Sequence, residues 1–420
     1  MILDKQNIKD LSFLSSFEGI GLIIIFLTLP IVTRIYDPAD FGNFEKYVVL
    51  VGIIANLCLL NFEFKIYDFT SKKDQTLSLI TCLFFTVFFS AIFICFSLLL
   101  LNIYPTELIY SYEIIFLILF WILFVSLASI TLNYFSSLGN FKQYSLIRLL
   151  SNIVLIVSQI IFGLFGFNFM GFIYAIILQN IFISVFGIKP IYNQIKIFIN
   201  DFIFSDILNQ IKNNKNILIF TFPGSLINRL TLALPIYFLS SFNPIFLGYY
   251  AFGSQLLNYP LKLFNGLGNM YKKEFSDEIR LNQTFNKTFI KYLKIFSIVS
   301  IVLLLSVFLF SSFLVPILFG KQWTDSIHIM KILVLMVSVR YIVAGLSSVL
   351  LIGNLPKYDI FFQLAYLLFS FISIYIAKQI FNSYSSVIYA YVISSIILYI
   401  FYFYLIKYFS TKQIKSINPK

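Results

Sequence analysis

Five polar side chains recur along one apolar stretch at helical spacing. Gln255, Asn258, Lys262, Asn265 and Asn269 stand three and four residues apart and share one helix face. A neighbouring stretch repeats the pattern with Thr221, Ser225, Asn228 and Arg229. Amides and hydroxyls so arranged exchange hydrogen bonds with hydroxyl-rich ligands, while ammonium and guanidinium groups neutralise phosphate. That is recognition chemistry, and no catalytic carboxylate is recognisable beside it. A charge at lipid depth costs about 2.5–3.5 kcal/mol on insertion scales, so it faces a wet cavity or a partner. Lys262 precedes Lys272 by about 15 Å of helix axis, more than snorkelling fully bridges. Asn and Gln also glue membrane helices together, so Asn228, Gln255, Asn258 and Asn265 stay open to both readings. For Arg229 and Lys262 the cavity is the better reading, because no acid in either stretch offers a partner.

Four more charges belong with these. Arg340 lies inside a later stretch, and Asp359 at the start of the next is placed to pair with it; a salt bridge and a cavity cation are both open. Glu18 lies seven residues into the first stretch, beside Gly19 and Gly21. A carboxyl in apolar surroundings disfavours its ionised form, so Glu18 and Asp359 are the candidates for proton coupling; the alternative for Glu18 is a place among the headgroups. Arg34 is a cavity-rim residue or an interfacial anchor. Glu63 and Lys65 read as interfacial. Pro260 stands two residues before Lys262, where a kink would re-aim that cation. Cys58, Cys82 and Cys95 read as packing residues, and with one histidine, His328, neither metal nor cofactor is expected.

The elements that must position these groups follow from composition. The 420 residues are 60% hydrophobic and 11% charged, against roughly 25% charged in soluble domains. Apolar runs near twenty residues with short polar breaks specify an all-α integral membrane protein. Twelve spans are expected, at 11–35, 44–64, 77–101, 114–136, 146–166, 169–188, 216–240, 246–270, 289–318, 327–352, 358–380 and 385–407. The first is expected to stay as a span, since it lacks a convincing cleavage site. Of the 30 Lys and Arg, most fall on the side shared by both termini, which accounts for the net charge of +12 and places the termini in the cytoplasm. Nucleic acid is not an expected partner; membrane lipids are.

The longest inter-span segment, 189–215, separates an N-lobe (1–200) from a C-lobe (201–420), and Ile195–Ile199 within it is suited to the membrane surface. Outward loops are all short, which argues against a polymerase or glycosyltransferase. Asp37-Pro38-Ala39-Asp40 reads as a helix start, not a catalytic acid. The halves also echo each other. Leu29-Pro30 and Phe41-Gly42 are matched by Leu234-Pro235 and Leu247-Gly248, and Gly139-Asn140 by Gly353-Asn354. A six-helix unit used twice is a common transporter design.

The run Leu29-Pro30-Ile31-Val32-Thr33-Arg34, continuing through Asp37-Pro38-Ala39-Asp40-Phe41-Gly42, resembles the N-terminal signature of the polysaccharide-biosynthesis flippases of the Wzx type. Leu247-Gly248-Tyr249-Tyr250-Ala251 and Leu318-Phe319-Gly320-Lys321-Gln322-Trp323 are similar to two later motifs of that family. The resemblance implies the superfamily of multidrug and toxic-compound extruders and the lipid II flippase. Its fold is two six-helix lobes arranged as a V around a central cavity. It also implies a non-enzymatic function in the bacterial inner membrane: moving an undecaprenyl-pyrophosphate-linked oligosaccharide, an O-antigen or capsule repeat unit, to the outer leaflet. Coupling to a proton or sodium gradient, and polymerase and chain-length proteins as partners, come with it. Arg229, Lys262 and Arg340 would meet the pyrophosphate. Glu18 replaces the arginine cluster that the lipid II flippase carries in span one, which favours a strain-specific glycan over a peptidoglycan precursor. A drug or cation antiporter of the same fold is the nearest rival, and a membrane glycosyltransferase or polymerase the next.

Overall fold

Lipid offers the backbone no hydrogen-bonding partner, and the chain answers with helix. The computed structural model describes residues 5–67, 71–103, 111–198, 204–263, 271, 274–275, 286–347, 350 and 356–411, the side chains of 5–18, 100–103, 262–263, 286–287, 356–357 and 410–411 aside. Thirteen helices are described: α1 Lys5–Ile35, α2 Pro38–Leu59, α3 Lys72–Ile103, α4 Tyr112–Ser137, α5 Phe141–Leu164, α6 Asn168–Phe198, α7 Phe204–Asn213, α8 Phe222–Ser240, α9 Pro244–Leu263, α10 Asn286–Phe319, α11 Ser326–Leu346, α12 Pro356–Phe381 and α13 Tyr384–Thr411. With α7 set aside, twelve of them stand at the twelve expected spans. Among the described residues ten are long and apolar enough to cross a membrane. In α1 the apolar part described is the shorter Gly19–Ile35; in α9, Gln255, Asn258 and three tyrosines lower the hydropathy.

Local chemistry sets the helix ends. Asp37 caps α2, Pro38 opens it, and the Asp40 carboxylate accepts the Asp37 N–H at 3.2 Å, so the helix-start reading of that acidic run is the observed one. Of the segment expected to suit the membrane surface, Ile195–Ile199, the residues to Phe198 are described and form the end of α6. Buried Ile183, Gly187 and Ile191 keep helical spacing across Pro190, and α6 continues through it to Phe198. The separate helix α7 follows, with Ile207 and Gln210 buried while Phe204 and Leu208 are exposed.

Contacts divide the chain into two compact units: Met1–Tyr36 with Phe44–Arg229, and Asp37–Asn43 with Leu230–Lys420. The lobe boundary expected at 200/201 lies outside the described residues. In the first unit α5 packs on α1 and α6, and α4 on α3 and α6. Tyr36 is its keystone: the ring is buried beside Gly163 and Gly171, and its hydroxyl donates to the Gln159 carbonyl at 2.8 Å.

In the second unit α11 packs against α9, α10 and α13, and α12 against α13. Gly320, at φ 103, turns the chain in a way that side-chain-bearing residues rarely adopt. That turn delivers Trp323, fully buried, between Phe252 at 4.3 Å and Phe41 at 4.8 Å between ring centroids. Trp323→Ala should cost about 3–5 kcal/mol, seen as a lower unfolding temperature in detergent; Trp323→Phe should recover most of it. The first turns of α2 and α9 also meet here. A Cβ on Gly42 would overlap the Pro244 carbonyl oxygen, and one on Gly248 the Pro38 carbonyl oxygen.

Candidate functional site

In the first unit α8 carries its polar stripe against α2. The turn Ile217–Thr221 ahead of α8 is π-helical, a geometry that frees backbone groups and recurs at functional sites. Asn61, held left-handed at φ 60, donates to the Thr221 carbonyl at 3.2 Å and to Ser225 Oγ at 2.8 Å. Asn56 donates to Asn61 Oδ1 at 2.9 Å, and Ser225 Oγ lies 3.2 Å from Asn56 Oδ1, closing the ring. Ser225 is therefore helix–helix glue, while Thr221 contributes only its backbone carbonyl.

One turn further along both helices the pattern changes. Arg229 faces Gly52, where an added Cβ would stand only 3.3 Å from Nη1. The missing side chain makes the guanidinium's seat. Arg229 sits at the midpoint of the span Ile217–Ser240. It is more than a third exposed and, among the described residues, makes no hydrogen bond or ion pair. Asn228 beside it is exposed as well.

The charge that bears on Arg229 comes from a residue read as interfacial. The structure ends the second span at Leu59, and Glu63 lies in the 3-10 turn Phe62–Ile66 beyond it. Glu63 is buried, with Oε2 lacking a hydrogen-bond partner among the described residues. Burial raises its pKa from the usual 4.5, partly offset by a backbone hydrogen bond and by the field of Arg229. A carboxyl whose pKa is raised in the folded state contributes stability that is fully present below 4.5 and is lost as pH rises through the raised value. Glu63→Gln should accordingly flatten the fall in thermal stability above pH 4.5; parallel stability–pH curves for the two proteins would show that Glu63 is not the group responsible.

The second unit carries Arg340 inside a span. Arg340 lies six residues from the end of α11, about 9 Å deep. Asn258 gives its NH2 to the Ser254 carbonyl at 2.7 Å, which aims its oxygen at Arg340 Nη2, also 2.7 Å away. The phenols of Tyr250, Tyr366, Tyr391 and Tyr399 lie near enough to act on the guanidinium electrostatically, and Tyr366 is tied to Ser395 at 3.0 Å. The Arg340–Asp359 pair is not made. Asp359 belongs to the first turn of α12 and accepts the Tyr402 hydroxyl of α13 at 2.5 Å, so its partner is a phenol. Gln255 turns to Tyr259 of its own helix.

Arg229 is thus brought together with Gly52 and within the field of Glu63, Ser225 with Asn56 and Asn61, and Arg340 with Asn258, each within its own unit. Arg34 is exposed in the last turn of α1, where a cation complements the carbonyl end of a helix. The side chains of Glu18 and Lys262, and Asn265 and Asn269 entirely, lie outside the described residues. Gly52, Asn56, Asn61 and Glu63 had gone unremarked as a site. Their one signal in sequence is that Gly52 and Asn56 share a face of span two, one turn apart.

The family whose description is polysaccharide biosynthesis protein matches residues 31–328. No curated protein matches the chain. Among solved structures, the inward-facing conformation of a multidrug resistance MATE family transporter of the MOP superfamily is similar at TM-score 0.69 and 14% identity, over 97% of this chain and 96% of that one. The lipid II flippase MurJ, in an inward closed conformation, is similar at TM-score 0.67 and 17% identity, over 94% and 87%. An outward-facing MATE transporter of the same superfamily follows at 0.57 and 14%, over 98% and 97%. Matched over more than half its length, this multi-pass, all-helical membrane chain with a MATE-like fold belongs to the polysaccharide biosynthesis protein family.

Proposed function

We propose that the protein is a flippase that moves an undecaprenyl-pyrophosphate-linked oligosaccharide, an O-antigen or capsule repeat unit, from the cytoplasmic to the outer leaflet of a bacterial cytoplasmic membrane. The observation that carries the reading is Arg229: a guanidinium at mid-span, seated on a glycine and free of any ion pair among the described residues. A cation kept there at a cost of a few kcal/mol needs an anionic visitor, and pyrophosphate suits a guanidinium fork. Membership of a polysaccharide-building family supplies the class of cargo. Arg340 would provide a second station and Lys262 a third, with Asn228, Gln255, Asn258 and Asn265 meeting sugar hydroxyls and Arg34 at the rim. Alternating access would carry the head while the polyprenyl tail stays in lipid. A proton or sodium gradient would drive the cycle, with Glu18 and Asp359 as the acids that respond to it. Both termini face the cytoplasm in this arrangement, and no covalent step is involved.

The test is relocation. Protein in liposomes should move a fluorescent lipid-linked oligosaccharide to the far leaflet, where a membrane-impermeant quencher no longer reaches it, without lengthening the glycan. Quenching that stays complete would defeat the flippase, and a growing chain would make the protein a polymerase. Efflux of a cationic drug with no lipid movement would favour the antiporter.

A further inference from the structure

The first unit holds a second polar site away from Arg229. At the end that carries Lys72, Lys212 and Lys215, helix α7 lies over the start of α3. A buried amide clamps it there: Gln210 Nε2 donates to Ser78 Oγ at 2.8 Å, and Thr81 Oγ1 stands 2.6 Å from Gln210 Oε1. Phe204 adds a ring contact to Phe84 of α3 at 5.7 Å. So held, α7 roofs a cleft of about 580 Å³ lined by Lys65, Lys73, Asp74, Asp206, Asn209 and Asn213, within the range of roughly 300–1,000 Å³ usual for small-ligand sites.

The lining selects a ligand class. The lining's two ammonium and two carboxylate groups balance, and each is already engaged within the protein, so the lining itself offers a phosphate no net attraction. A divalent cation would want an oxygen cage without ammonium neighbours, and no cluster of three His, Cys, Asp or Glu side chains exists among the described residues. What remains is a dense mixture of donors and acceptors, including the Asn209 and Asn213 amides, which have no protein partner among the described residues. That mixture matches a ring bearing many hydroxyls, each both donor and acceptor.

We propose that this cleft is a saccharide-binding site, which docks the glycan of the cargo before its pyrophosphate reaches Arg229; the docking role rests on the flippase reading, the sugar binding does not. The probe is free oligosaccharide released by mild acid from the lipid-linked pool of cells that produce the protein. Saturation-transfer NMR on protein in nanodiscs should show binding by the wild type and by Arg229→Ala alike. Asn209→Ala/Asn213→Ala should bind about tenfold more weakly, as expected for the loss of two hydrogen-bonding groups. Both side chains are exposed, and an unchanged unfolding temperature would confirm an intact fold. Absence of transfer to the wild type, equal transfer to the double variant, or displacement of the sugar by inorganic phosphate would each overturn the site. Relocation in liposomes is scored separately. Sugar binding without relocation leaves the site standing and removes the flippase; relocation with no sugar binding does the reverse.

Discussion

Arg229→Ala should lower the rate of lipid-linked oligosaccharide relocation by about 10–100-fold, the equivalent of one charge-assisted contact to phosphate at roughly 1.5–3 kcal/mol. Stability should hardly suffer, because the guanidinium makes no hydrogen bond or ion pair among the described residues. Arg229→Lys keeps the charge and loses the planar fork, so it should recover only part of the rate. Gly52→Val provides the sharper comparison. It leaves every charge in place but fills the seat, where even a Cβ stands 3.3 Å from Nη1. Relocation should fall nearly as far as in Arg229→Ala. Asn61→Ala should behave in the opposite way, lowering stability through the lost bonds to Thr221 and Ser225 and the strained φ of 60, while cargo affinity holds. Full-rate relocation by Arg229→Ala would end the phosphate reading.

Those contrasts mark where sequence was informative. The depth of Arg229 and the polar faces of α8 and α9 are local, periodic facts, and twelve spans with their helix starts follow from the same kind of pattern. The Asp37–Asp40 cap is legible because both partners lie within four residues. What a stripe faces depends on a second helix, which periodicity does not name. Thus Ser225 finds Asn56 and Asn61 from α2 and the turn beyond it, far away in sequence, and Arg229 finds Gly52. Arg340 and Asp359 stand on successive helices and invited a pairing. Tyr402, on a third helix, takes the carboxylate instead, and Asn258 takes the guanidinium. Glu63 lies beyond the second span, as an interfacial residue would, but the short turn after α2 buries it beside Phe62 and Ile66 of an apolar cluster, a burial that hydropathy does not reveal.

Alanine at Gly42 or at Gly248 should destabilise the protein by about 1–3 kcal/mol or more, although alanine is the better helix former by nearly 1 kcal/mol. Each glycine stands one turn after the proline that opens its helix, and each new Cβ would strike the carbonyl oxygen of the other helix's proline. Backbone atoms cannot rotate aside as a flexible side chain can, so the two helix starts must part. Phe41 would be carried away from Trp323 and Phe252, to which it holds at 4.8 and 6.4 Å. Gly19 in α1 is the matched control, since nothing lies within 4 Å of its added Cβ; Gly19→Ala should be neutral or slightly stabilising. The reciprocity makes a stronger demand on the pair. Once one methyl group has forced the helix starts apart, the second meets less resistance, so the double variant should cost clearly less than the two single costs together. Strictly additive costs in a thermal-unfolding cycle would mean that the two glycines do not share one contact, and the 206-residue echo between Pro38-Gly42 and Pro244-Gly248 would lose its structural meaning.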